Sequence, residues 1–119
     1  MKWIVTLLLI CTGLFADMTV IASDGEKLDS KVSSKASRCH YYIFIDENGK
    51  VLEILRNPHQ NVRGGASSKL LEMLKDKKVS HMMASNFGEK LMRGMESNKI
   101  KYTIYQGDIN GAIQSLDKK

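Results

Sequence analysis

Proline is almost missing from this chain, with Pro58 its single example, and cysteine occurs only at Cys11 and Cys39. Two thiols cannot form the disulfide framework that staples small loop-rich domains, so folding has to rest on a buried apolar core. Aromatic residues make up 7% of the chain, with one tryptophan, and few stand beside basic clusters. Lysines are scattered among acids. The net charge of +5 therefore describes a mildly basic, solvated surface, and no nucleic-acid partner is expected. Repeats and low-complexity tracts are absent. What is present, 43% hydrophobic and 26% charged residues in 119, is the make-up of one globular domain.

No apolar run is long enough to span a bilayer comfortably. The longest, Trp3 to Phe15, falls short of the roughly 20 residues a membrane helix needs. Following Lys2, it has the charged start and short apolar core of a secretory signal peptide. A cut after Ala16 would leave residues 17–119 as a single domain, exported to the periplasm or beyond and with no membrane span. Two alternatives stay open: Met18 as the true start of a cytoplasmic protein, and an uncleaved anchor. A cut after Ala22 fits locally but would remove the first strand. Once residues 1–16 are gone, Cys39 is a lone thiol that cannot form an internal disulfide.

Turn formers and hydrophobic periodicity divide the rest. "MTVIAS" (Met18–Ser23) reads as a strand, followed by a polar loop to Arg38. "CHYYIFID" (Cys39–Asp46), rich in aromatic and β-branched residues, reads as a buried strand. "ENGK" then signals a hairpin into "VLEILRN" (Val51–Asn57), which Pro58 stops. "SSKLLEMLKDKK" places Leu70, Leu71, Met73 and Leu74 on one helical face, and "FGEKLMRGMESNK" does so with Phe87, Leu91, Met92 and Met95. Strands "SHMMAS" and "IKYTIYQG" alternate with these helices. "DINGAIQSLDKK" is a last helix with Ile109, Ala112, Ile113 and Leu116 inward and Asp108 as N-cap. A hairpin followed by alternating helices and strands predicts an α/β domain with a mixed sheet whose second strand runs against the others.

If the first, third, fourth and fifth strands share a direction, their carboxyl ends gather on one rim. That rim collects residues 23–38, 57–66, 85–88 and 106–108, and such rims are where open α/β sheets receive ligands. Helices starting after Gly65, Gly88 and Gly107 would point first-turn amides at it, a setting suited to an anion. The plainer reading of these glycines is turn chemistry. Cys39 and His59 reach the same rim and could touch a metal together, though two ligands leave a site incomplete. Their plain readings are a small buried hydrophobe and a loop residue. His81, at the far edge, reads as structural. The methionines Met73, Met82, Met83, Met92 and Met95 read as core rather than copper ligands. Asp24 and Asp46 fall at opposite edges, too far apart for two-metal nuclease chemistry.

The segments "MTVIASDGEKLDSKVS", "RCHYYIFIDENGKV", "NPHQNVRGGASSKLLEML" and "ASNFGEKLMRGMESNKIKYTIYQGDINGAIQSL" together resemble the dinitrogenase iron–molybdenum cofactor biosynthesis family. The likeness runs from Met18 to Leu116. It implies a ribonuclease H-like three-layer fold with a five-stranded sheet of order 3-2-1-4-5, strand 2 antiparallel, and three helices. It also implies carriage of an iron–sulfur or iron–molybdenum-type cluster rather than catalysis. Cofactor-carrying members have His-Phe-Gly in the loop after the first strand, and Lys35-Ala36-Ser37 stands in that place here. Soft metal centres take imidazole or thiolate ligands, and a protonated lysine offers neither.

The expected function is thus a non-enzymatic binding or carrier domain for a metal cofactor or anionic ligand. Its site would comprise Asp24, Lys35, Cys39, His59, Arg63, Gly64, Gly65, Asn86 and Gly88, with Cys39 and His59 available to metal. The alternatives are a protein-interaction module of the same fold with a protein partner and no metal ligand, and a redox role for the lone thiol.

Overall fold

The structure, a computed structural model, describes residues 18–117. The expected leader, residues 1–16, and Cys11 within it lie outside the described residues. Strands β1 (Thr19–Ser23), β2 (Tyr41–Ile45), β3 (Val51–Arg56), β4 (His81–Ala84) and β5 (Lys101–Ile104) form one sheet of order β3-β2-β1-β4-β5. β2 runs antiparallel to both β1 and β3, whereas β1, β4 and β5 are parallel. This is the sheet expected from the sequence.

β1 is central, and every residue in it is buried. Its two-residue alternation explains the three layers. Val20 and Ala22, with Tyr42, Phe44, Met82 and Ala84 of the neighbouring strands, form a core on one face. Helices α1 (Ala66–Asp76) and α2 (Glu89–Ser97) cover that face through Leu70, Leu74, Leu91 and Met95. Ile21, Ile43, Ile45 and Met83 point the other way, where α3 (Ile109–Asp117) contributes Ile109 and Ala112. Fully burying such side chains contributes about 1.5–3 kcal/mol each, so β1 cannot be lost without losing both cores. The methionines behave as core: Met82, Met83 and Met95 are buried, and Met73 and Met92 pack against the first cluster.

Local chemistry fixes the connections. Asp46 holds the β2–β3 turn by accepting the Asn48 and Lys50 amides on Oδ1, both at 2.9 Å. Asp108 caps α3 as expected, its Oδ1 accepting the Gly111 amide at 2.8 Å. β2 starts later than its sequence suggests. Asn57 explains this: its amide donates to the His40 carbonyl at 2.9 Å, and its side chain takes over at Cys39. His81 is buried at the far edge, between the Thr19 and Thr103 hydroxyls at 3.3 and 2.7 Å. Asp24 follows β1, near the Ser23–Tyr41 pair, while Asp46 lies beyond the Thr19–Ile45 pair at the sheet's other end.

Candidate functional site

The rim at the carboxyl ends of β1, β3, β4 and β5 is built from the loop after each strand, and each begins differently. After β1 the chain folds back on the rim instead of running free. Ser23 bridges to Val32, Lys31 bridges to Asp108, and Val32 joins the core under α3. The following turn is tight: the Lys35 amide donates to Ser33 Oγ at 3.0 Å, and the Arg38 amide donates to the Lys35 carbonyl at 3.1 Å. From beneath, the Tyr42 hydroxyl donates to the Ala36 carbonyl at 2.9 Å.

A cleft of about 400 Å³ opens beside this turn, lined by Asp24, Ser33, Ser34, Lys35, Arg38, Cys39, His40 and Gln60. Asp24, Lys35 and Cys39 of the expected site therefore share one cleft. His59, Arg63, Gly64, Gly65, Asn86 and Gly88 stand outside its lining, along the adjoining loops. Sequence reasoning missed Arg38 and Gln60. Arg38 closes a polar loop with no periodicity to mark its side chain, and its partners lie more than twenty residues away.

Cys39 is 1% exposed, and its thiol donates to the Tyr41 carbonyl at 3.1 Å. Burial pushes the thiol up to about 12, so it is a protonated thiol at neutral pH. The same burial raises the Tyr42 hydroxyl, with Cys39 beside it adding to the shift. His59 is half-buried and donates its backbone amide to Asn57 Oδ1 at 2.9 Å. Among the described residues no group of three or more His, Cys, Asp or Glu side chains is gathered for a metal. A cluster ligated through several protein thiolates or imidazoles does not fit this donor set.

The three helix starts on the rim differ in how their first-turn amides are used. The α3 amides expected to be open are taken: Ile109 donates to Ser30, Asn110 to Leu28 and Gly111 to Asp108. The loop after β1 caps that helix. α1 and α2 differ, for their N-caps Gly65 and Gly88 supply no side-chain cap. Their first-turn amides have no partner within the helix. Gly65 (φ 74°) and Gly88 (φ 82°) need their left-handed backbone, whereas Gly64 has an ordinary φ and open space around it. The fold gives Gly64 no reason to be glycine. Asn86 Oδ1 accepts the Gly88 amide at 3.3 Å and shapes the turn into α2.

Comparisons with known proteins fit this architecture. The chain superposes on the NMR structure of a NifB-like protein from Thermotoga with a TM-score of 0.70 and 28% identity, over 86% of this chain and 88% of that one. The apo form of the orange protein from Desulfovibrio gigas matches with a TM-score of 0.77 over 86% and 88% of the two chains; at 17% identity it shows a shared fold. A dinitrogenase-like protein from Methanocaldococcus jannaschii matches at 0.55 and 16% identity, over 86% and 92%. No protein of curated function matches the chain. The profile described as dinitrogenase iron-molybdenum cofactor matches residues 18–119, and the chain belongs to that family.

Proposed function

We propose that this domain is a non-enzymatic carrier that receives a small anionic ligand, a metal–sulfur cluster anion included, on the rim between the starts of α1 and α2. The ligand is cargo. Backbone amides following Gly64, Gly65 and Gly88 contact its negative charge, and Lys35 and Arg63 add attraction from exposed positions. One observation carries this reading: two helices begin on the same rim at uncapped glycines, while the third has its amides consumed by the chain. Family membership supports a cluster as the class of cargo.

Anaerobic reconstitution with iron and sulfide tests this. The wild type is expected to gain visible absorbance that co-elutes with the protein, and Cys39→Ser and His59→Ala are expected to retain it. Loss in both variants would move the reading to side-chain coordination. No absorbance in any form would leave cluster cargo unsupported.

A second reading, a protein-interaction module, draws on a different feature. On the edge strand β3, Leu52 and Ile54 are 50% and 43% exposed, an apolar pair at an unpaired sheet edge. Pull-down with an Ile54→Lys control separates it from ligand binding at the rim.

A further inference from the structure

The glycines can present their amides only if the loop that carries them is held in place, and residues 58–65 do little to hold themselves. Among the described residues, backbone bonding inside that loop is limited to the Val62 amide on the His59 carbonyl, at a long 3.4 Å. The loop also contains two glycines in sequence, which lower its intrinsic order further.

Arg38 supplies what the loop lacks. One guanidinium nitrogen, Nη1, donates to the Val62 carbonyl at 2.6 Å and to the Gln60 carbonyl at 3.2 Å. Bonds from a charged donor to carbonyls are stronger than neutral ones. Beside it, Gln60 Nε2 and His40 Nδ1 meet at 2.8 Å. The turn that carries Arg38 is itself anchored, through Tyr42 to Ala36 and through Asn57 to Ser37 and Cys39. A rigid turn therefore grips a loop that has few bonds of its own.

We infer that Arg38 is a positioning residue of the rim: it organises the 57–66 loop so that Gly64 and Gly65 are presented, and it does not serve as a charge for the ligand. Its Nη1 is committed to two main-chain carbonyls and its side chain is half-buried, whereas Arg63 on the loop itself is exposed. The two arginines have different jobs. Losing Arg38 lowers the fraction of molecules with a competent loop, and apparent affinity falls by that fraction. Losing Arg63 removes long-range attraction, which salt screens.

The experiment compares Arg38→Met with Arg63→Met in the full chain, with two readouts. Backbone amide NMR order parameters without ligand read loop order. Anaerobic titration with tetrathiomolybdate, at low salt and in high salt, reads affinity. In Arg38→Met, the order parameters of residues 60–65 are expected to drop from near the rigid-backbone value of about 0.85 to below about 0.6, and affinity to fall about tenfold at both salt levels. Arg38→Lys, which keeps a multi-hydrogen donor, is expected to restore part of both. In Arg63→Met, the order parameters stay as in wild type and any affinity loss shrinks in high salt. Unchanged order parameters in Arg38→Met, or an affinity loss there that salt abolishes, would overturn the inference. The affinity arm rests on the rim-binding reading. Should the wild type bind no tetrathiomolybdate, that reading fails, while the relaxation arm still decides the role of Arg38.

Discussion

The side-chain amide of Asn57 donates to the main-chain carbonyl of Cys39 at 2.9 Å, joining the end of β3 to the segment that leads into β2. The same Nδ2 lies 3.2 Å from the Ser37 carbonyl and 3.4 Å from the Tyr42 hydroxyl, and Oδ1 accepts the His59 amide. Asn57 is 6% exposed, so nothing from solvent replaces it readily. Asn57→Ala is expected to destabilise the fold by about 2–3 kcal/mol, because buried carbonyls lose their donor and water cannot reach them. Urea denaturation measures this. A change under about 0.5 kcal/mol, the size of an ordinary surface substitution, would show that the staple contributes little.

The rim glycines should rank by their backbone. Gly88 (φ 82°, ψ 151°) lies in a region essentially restricted to glycine, so Gly88→Ala is expected to cost about 1–3 kcal/mol. Gly65 (φ 74°, ψ 15°) is in the left-handed helical region, and its alanine variant should cost about 1–2 kcal/mol. Gly64→Ala should be neutral or slightly stabilising, since its φ is ordinary and an added Cβ meets nothing. Thermal unfolding of the three variants checks the order. A destabilised Gly64→Ala would mean that the fold, not a ligand, requires this glycine.

Cys39 makes stability fall on the alkaline side. Its folded pKa is raised from 9.0 to about 12, so between those values the unfolded chain loses a proton that the folded chain keeps. Stability is therefore complete below about 9 and declines as pH rises, by about 1.4 kcal/mol per unit while only the unfolded thiol ionises. Tyr42, raised in the same direction, adds to the decline above its ordinary value of 10.0. Cys39→Ala is expected to flatten the first part of the slope in pH-dependent denaturation. Stability rising from pH 9 to 11 would contradict the assignment.

β1 sets the shortest chain that can fold. A form starting at Met18 keeps the strand and the Met18 carbonyl that accepts the Ser80 amide at 3.1 Å. One starting at Ser23 loses Val20, Ile21 and Ala22 from both cores. Circular dichroism should show a cooperative melt for the first and none for the second. A cooperative melt for both would mean β1 is dispensable.

The strands and helix faces were legible because they follow from apolar spacing, whereas the order of the strands came from the family resemblance. Val20 and Ile21, or Met82 and Met83, are adjacent in sequence and serve opposite faces, which marks a strand covered on both sides. The rim was legible as a place but not as a set of contacts. Polar loops carry no periodicity, so nothing in "SSKASRC" shows that Arg38 reaches the carbonyls of Gln60 and Val62. For the same reason the sequence suggested open amides at all three helix starts. Residues 28 and 30 in fact cap α3, a pairing fixed by how the loop after β1 folds back.

Amide NMR during an anaerobic titration with tetrathiomolybdate tests the central claim most directly, since it reports where a small metal–sulfur anion settles. The account predicts saturable shifts at Gly64, Gly65, Ala66, Gly88 and Glu89, and still signals for Glu47, Asn48 and Lys99 at the far edge. Shifts confined to that far edge, or none anywhere, would contradict it.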